Sequence, residues 1–504
     1  MNDRRIQSIV IVGGGVAGWL AAAVLARVVT REYCEIRLVE PSRPDASPGS
    51  EATNPAFHRL LGLLGIDERD LMRRTDATFS LGVEFRDWAR LGGRYYHSFG
   101  SIGARLETVP FHHYWLRLRA LGEPLELDEF STAATLARQG RFVPTTTDRS
   151  SVFSLHAHGH HLDAQLFADY CRDFALARGV IRISRDVLDV TRRASDGFVD
   201  SLRLDGGESL AGDLFIDCSD GHHPVFETSR EANAEDWQHW LPCDRAVAVC
   251  SEKTDELPLV SLSTAGSHGW HWRRHLQRRI DCGYAYSSRY LSDDEAASTL
   301  LAALPTRSLT EPRRLSFSAG RPANFWMQNV IALTGHRLEP LEPIRLHLLQ
   351  TAITRLLTVF PDRDFHASNA AEYNRLTIAE HESIRDFLIL HYWATGRDDS
   401  PFWQSRRSME VPESLRRRRE LFRLSGRISL LDDEHFGEES WLSAFLGQGV
   451  TPDSYDPLAD LVPIDDVRRA LMQMRSAIAT EVGKLSTHRE FIDRHVMGER
   501  GPIR

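Results

Sequence analysis

The run Ile9-Val10-Ile11-Val12-Gly13-Gly14-Gly15-Val16-Ala17-Gly18 constrains the fold more than any other part of this chain. Four β-branched residues read as a short buried strand. The glycines fit GxGxxG, and Trp19 to Val29 continues as a helix. Gly13 permits a tight turn, Gly15 lets the backbone approach a pyrophosphate, and Gly18 lets helix and strand pack closely. The helix N-terminus then offers N–H groups and partial positive charge to phosphates. A second strand, Glu35-Ile36-Arg37-Leu38-Val39, ends at Glu40, where a carboxylate can bond the ribose hydroxyls of a dinucleotide. Strand, glycines, helix, strand and acid in that order predict a Rossmann-like α/β core. Gly13, Gly15, Ala17, Gly18 and Glu40 are its candidate cofactor-binding residues.

Ile9 to Ala26 is uncharged and about the length of a membrane span. It carries four glycines, starts as a strand and has no cleavage pattern after it, so it reads as buried strand, turn and helix. The chain of 504 residues is long enough for two domains or one large core with an insertion. The balance of 61 basic against 70 acidic residues gives −9 and suggests neither a nucleic-acid nor a membrane partner. Six cysteines, Cys34, Cys171, Cys218, Cys243, Cys250 and Cys282, lie far apart without a CxxC pair. Packed, reduced thiols in a cytoplasmic protein are the expectation.

The glycine motif does not choose between FAD and NAD. Later segments choose by resemblance. Asp76-Ala77-Thr78-Phe79-Ser80-Leu81-Gly82-Val83-Glu84-Phe85-Arg86-Asp87-Trp88 resembles the sequence around the catalytic lysine of flavin-dependent tryptophan halogenases, with Ser80 at the lysine position. Ile384 to Trp403 is similar to that family's helix and following loop. Leu446-Gly447-Gln448-Gly449-Val450 with Tyr455-Asp456-Pro457-Leu458 resembles a second signature. Gly269-Trp270-His271-Trp272, Gly283-Tyr284-Ala285-Tyr286-Ser287-Ser288 and Leu338-Glu339-Pro340-Leu341-Glu342, followed by His347, match in order.

The resemblance implies an FAD-binding core with a substrate-side sheet and a mainly helical C-terminal region. It also implies reduced FAD supplied by a separate flavin reductase. In that family reduced FAD, oxygen and halide give hypohalous acid, which travels through a tunnel to the lysine while a glutamate assists. By the same resemblance Glu342 is the catalytic glutamate. Ser50-Glu51-Ala52-Thr53-Asn54-Pro55 is the flavin-contacting loop, with Ala52 at the cofactor and Ser50 where glycine is usual. His97 and Phe99 resemble positions that flank the family's aromatic substrate, and the aromatic ring there reads equally as packed core.

Departures accumulate at the chemistry. Ser80 cannot form a haloamine or offer a cationic hydrogen bond. Pro343 and Ile344 stand where Ser and Thr lie beside the halide, which removes two hydroxyls and one N–H donor. Only Lys253 and Lys484 are lysines, and nothing in the sequence places either in the site. The WxWxIP pattern reads Trp270-His271-Trp272-Arg273-Arg274-His275, with both tryptophans readable as core or as substrate wall. His336 and Arg337, and Asp220 before Gly221, stand where small residues approach the flavin.

His156, His158, His160 and His161 could suggest a metal. In sequence only Asp163 stands close enough to complete the set, and His161-Leu162-Asp163-Ala164 reads as a family segment leading into a helix, so no metal is expected. No Ser-His-Asp or Cys-His nucleophile arrangement can be picked out from spacing. Arg406 to Arg423 reads as a solvated helix face.

Residues 1–350 are expected to form an interleaved FAD-binding and substrate-facing core, with 351–504 mainly helical and packed across it. A homodimer is allowed. The expected function is an FAD-dependent oxidoreductase that oxidises or oxygenates a small-molecule or peptide-borne aromatic, indole-like group. The alternatives are a halogenase with another halogen-transfer route and a non-catalytic binding protein on the same fold.

Overall fold

The computed structural model describes residues 4–42, 49–104, 106, 109–219, 225, 234–334, 338–431 and 434–498. His336, Arg337, Asp220 and Gly221, singled out above, lie outside them. Strand Ser8–Val12 sits inside a six-stranded sheet in the order Trp326–Met327, Val330–Ala332, Leu214–Asp217, Ser8–Val12, Glu35–Glu40 and Ile181–Ser184. Neighbours are parallel except the first pair. The period of two along Ser8–Val12 divides its side chains between two cores. Ile9 and Ile11 join Trp19, Leu20 and Val24 of helix Gly15–Val28, while Val10 and Val12 join Val39, Leu202 and Phe215 on the opposite face. The uncharged N-terminal run is thus strand, turn and helix, and among the described residues no helix is long and apolar enough to cross a membrane.

A second, seven-stranded sheet has the order Arg313–Ser316, Arg245–Glu252, Arg279–Tyr286, Gly269–His275, Ser261–Ala265, Gly82–Arg86 and Arg94–Ser98. It is antiparallel except where Ser261–Ala265 runs parallel to Gly82–Arg86. A small sheet of Ser50–Ala52, Gly159–Asp163 and Thr78–Ser80 completes the substrate-side framework.

From Arg345–Thr358 onward the described chain is helical. Helix Ala367–Trp393 buries Ile384 to Tyr392 in one core with the second sheet. The family-like segment 384–403 therefore spans the end of that helix, a loop and helix Pro401–Arg407. The arginine-rich stretch is not wholly solvated. Arg418 lies over the Trp441 ring at 4.1 Å and pairs with buried Glu434, and Arg419 lies over Trp393. Their aliphatic stems cover aromatic surface that would otherwise meet water. All six cysteines are buried, and none is joined to another.

The segment from Leu338 to Ile344 threads between the second sheet and the helices and is anchored by Glu339. Trp270 Nε1 donates to Glu339 Oε2 at 2.9 Å, and Tyr392 OH donates to the same oxygen at 2.5 Å. Trp270 is thereby a core residue. Burial raises the Glu339 pKa from its ordinary value of 4.5 to about 7, with the hydrogen bonds opposing the shift. The folded chain holds this proton more tightly than the unfolded chain does. Its stabilising effect is complete below the unfolded value and is lost as pH rises through about 7. Glu339→Gln keeps an acceptor for both donors and cannot ionise. The fall in unfolding midpoint between pH 5 and pH 8 is expected to be smaller in this variant, as read by urea denaturation at both pH values.

Candidate active site

The glycine turn has the geometry a dinucleotide requires. A Cβ on Gly18 would fall 1.8 Å from the Gly13 carbonyl oxygen, and one on Gly13 (φ +105°) would strike Cys218 and Ser219 of the neighbouring strand end. Gly15 has φ +69° and faces open space, where the phosphates of a dinucleotide would lie. No side chain caps helix Gly15–Val28, and no acidic residue stands in its first turn. Its N–H groups and partial charge therefore suit an anion. Glu40 closes the far side, with Trp19 Nε1 donating to Oε2 at 3.0 Å and Arg182 Nε to Oε1 at 2.5 Å. These residues fit FAD. Ala17 is buried one residue before Gly18 on the helix.

Two cavities meet at one short segment. The flavin-side cavity, about 200 Å³, is lined by Ser50, Glu51, Ala52, Trp272, Arg274 and the segment from Pro340 to Arg345. The substrate-side cavity, about 410 Å³, is lined by Asn54, Pro55, His97, Phe99, Phe436 and Ser440, among others. Glu342 and Pro343 line both. The structure thus brings Glu342, His97 and Phe99 to one cavity and puts Ala52 beside the same partition. Ser80 lines neither of these cavities. It is a buried residue of strand Thr78–Ser80, paired with Gly159. Neither lysine reaches them: Lys253 is exposed just past strand Arg245–Glu252, and Lys484 pairs with Glu481 at the end of helix Ile464–Gly483.

Glu342 is buried, and His97 Nδ1 donates to its Oε1 at 2.8 Å. His97 Nε2 lies 2.9 Å from Ser440 Oγ, so Ser440 donates to a ring whose other nitrogen is the donor. Glu342 Oε2 is left buried without a hydrogen-bond partner. A carboxyl oxygen so placed can exchange a proton with a group in either cavity. The backbone beside it has lost its anion-binding donors. Pro343 has no N–H, and the Ile344 N–H is donated to the Glu342 carbonyl at 2.8 Å in a three-residue turn.

Ser50 Oγ donates to Asp281 Oδ2 at 2.7 Å, and Trp272 Nε1 reaches the same oxygen at 3.2 Å, so Trp272 walls the flavin-side cavity. Arg274, at the isoleucine position of the tryptophan pattern, is buried there and donates to the carbonyls of Ser50 and Pro340. Burial lowers its pKa, and Asp281 and Glu51 oppose that shift. On the substrate side, aromatic surface comes from Phe99, Phe436 and His435, the last stacked on His347 at 3.7 Å. Burial holds His435 well below the usual imidazole value. Gly447 and Gln448 secure this wall: a Cβ on Gly447 would enter the Tyr95 ring, and Gln448 donates to Tyr95 OH at 3.0 Å. Sequence reasoning missed Ser440, His435 and Arg274 as site residues. Ser440 lies 343 residues from His97, and no local signal links them.

Of the histidine run, His156 bonds the Val143 carbonyl and His161 bonds Ser261. Asp163 does not complete a set with them. It caps helix Ala164–Leu176 and pairs with Arg279 at 2.6 Å. His158 and His160 instead turn to Glu68.

Removing His97 leaves the Glu342 carboxylate buried without its donor. His97→Ala should cost roughly 3–5 kcal/mol, and His97→Ala/Glu342→Gln should recover part of that loss in urea denaturation.

A profile of the tryptophan halogenase family matches residues 8–464. A flavin-dependent halogenase from Brevundimonas sp. BAL3 superposes with a TM-score of 0.93 at 40% identity, covering 97% of this chain and 99% of that one. A flavin-dependent halogenase from Xanthomonas campestris gives 0.93 at 38% identity, with 97% and 98% covered. The tryptophan 6-halogenase ThaL of Streptomyces albogriseolus is 30% identical over 453 residues, 85% of this chain and 84% of that protein.

Proposed function

The chain belongs to the tryptophan halogenase family and is a flavin-dependent enzyme related to those halogenases; on that premise we propose that it oxygenates an aromatic, indole-like substrate without halogenating it. The observation that carries this reading is Glu342 on the partition between the two cavities, one oxygen held by His97 and the other unpaired, beside a backbone stripped of anion donors. Gly13, Gly15, Ala17, Gly18, Glu40 and Ala52 would hold FAD, received in reduced form from a separate reductase in the cytoplasm. Bound there, it would supply the two electrons that let one atom of O₂ enter an aromatic C–H bond as hydroxyl while the other leaves as water.

The residues of this chain do the rest. Phe99 and Phe436 give the substrate ring apolar surface, and His97 stands at its edge. Glu342 Oε2 takes the proton that leaves the ring carbon. The resulting neutral carboxyl keeps its bond from His97, and Ser440 holds the imidazole in place throughout. Pro343 and Ile344 deny a halide its backbone donors, and Ser80 offers no amine. None of the described lining residues of the substrate-side cavity is Lys or Arg, whereas Glu342 and Glu439 are acidic. This favours a neutral or amine-bearing aromatic over one that presents a carboxylate to the cavity.

Halogenation by another route is the second reading, and Arg274 favours it, because a buried cation in the flavin-side cavity can hold an anion. Titration of the purified chain with FAD is expected to show binding at about micromolar Kd or tighter. Saturation failing at high FAD would mean that the fold serves as a binding scaffold. Glu342→Gln should leave that binding unchanged and lower turnover roughly 10²- to 10⁴-fold. Ser80→Lys alone should give no brominated product with reduced FAD, oxygen and bromide. Brominated product from that variant, and none from the parent, would refute the claim that the halide site is lost.

A further inference from the structure

The histidines that this function leaves unused converge on one carboxylate. Glu68 opens helix Glu68–Arg74 and presents Oε1 to His158 Nε2 at 3.0 Å, to His160 Nε2 at 2.9 Å and to His58 Nδ1 at 3.7 Å. The ligand atoms of His58, Glu68 and His158 all lie within 4.8 Å of one another. His58 supplies the decisive constraint. Its Nε2 lies 3.0 Å from the His158 carbonyl oxygen, a contact that requires an N–H on that nitrogen. In the neutral ring Nδ1 then carries a lone pair aimed at an anionic oxygen. A cation between the two removes the repulsion and turns both into ligands. Zinc bound tetrahedrally by nitrogen and oxygen at about 2.0–2.2 Å sets its ligand atoms roughly 3.3–3.5 Å apart. The distances from Glu68 Oε1 to His158 and His58, 3.0 and 3.7 Å, bracket that spacing.

We propose that His58, Glu68 and His158 form a binding site for one divalent transition-metal ion of the zinc class, with His160 holding the carboxylate from outside the coordination shell. The ion takes the place of the proton between His158 Nε2 and Glu68; that proton moves to His158 Nδ1, so the ring stays neutral and ligates through Nε2. Two imidazole nitrogens and one carboxylate oxygen suit zinc better than magnesium or calcium, which prefer all-oxygen shells. The second partner of His58, a backbone carbonyl, is the outer-shell contact that fixes a ligating tautomer. The side chains of His58 and Glu68 are 35% and 32% exposed, so an ion can enter from solvent and complete its shell with water.

The site joins helix Phe57–Leu64, helix Glu68–Arg74 and the chain entering strand Gly159–Asp163. Helix Phe57–Leu64 starts directly after Asn54, Pro55 and Ala56, which line the substrate-side cavity. A bound ion therefore braces that wall from behind, and its role is structural.

The test uses the full chain, stripped with chelator and titrated with ZnCl₂ by calorimetry and thermal unfolding, beside His58→Gln, Glu68→Gln and His366→Gln. His366→Gln controls for the exposed group Asp362, Asp364 and His366. The parent is expected to take up Zn²⁺ saturably with a raised unfolding temperature. His58→Gln and Glu68→Gln should weaken that binding by roughly tenfold or more and lose the thermal shift, while His366→Gln keeps both. His58→Gln lies at the solvent edge and decides the matter if Glu68→Gln fails to fold. No saturable Zn²⁺ uptake by the parent overturns the proposal, and so does uptake by His58→Gln equal to the parent's.

Discussion

Two buried glutamates three residues apart hold the centre of this molecule together. Glu339 is clasped by Trp270 from the second sheet and Tyr392 from the long helix, so the turn segment between them cannot shift without breaking two buried bonds. That clasp puts Glu342 on the partition between a flavin-side and a substrate-side cavity, where His97 takes one of its oxygens. Leaving a buried polar atom unpaired is costly unless something is meant to meet it. In Glu342 the unpaired atom is Oε2, the oxygen that the proposed function uses.

On the proposed reading, Pro343 and Ile344 beside this carboxylate and Ser80 away from both cavities act in one direction. Pro343 removes a donor, the turn it permits consumes the Ile344 N–H, and Ser80 leaves no amine on strand Thr78–Ser80. On that reading each would subtract a means of holding halide or its oxidised form. Arg274 runs the other way and places a buried guanidinium in the flavin-side cavity, braced on the carbonyls of Ser50 and Pro340. The proposed function rests on this contrast: Glu342 would serve as the proton acceptor for oxygenation, while these residues offer a halide little to hold it.

The glycine turn was legible in the sequence because its physics is local. A turn, a close approach and a helix start are all encoded within ten residues, and Gly13, Gly15 and Gly18 meet the surroundings their spacing implies. His97, Phe99 and Glu342 were reached through resemblance to a family, since nothing in their own spacing brings them together. Ser440, on helix Glu438–Gly447, and His435, in the bend before it, stayed hidden because they lie hundreds of residues from His97 in sequence. The histidine run shows the same limit. The nearest carboxylate in sequence, Asp163, is spent on a helix cap and Arg279, and the acid that meets His158 and His160 is Glu68. The arginine-rich helix misled for a related reason: charge density in sequence cannot show that Arg418 lies over Trp441.

Product analysis under isotopically labelled oxygen tests the central claim most directly. The purified chain is given reduced FAD, labelled oxygen, bromide and a panel of indoles that includes amine-bearing ones, and products are read by mass spectrometry. One labelled oxygen atom per product, with yield indifferent to bromide, is the predicted result. Bromide-dependent product that carries bromine and no label would contradict it, and Arg274 would then be the cation to which the halogen chemistry should be traced.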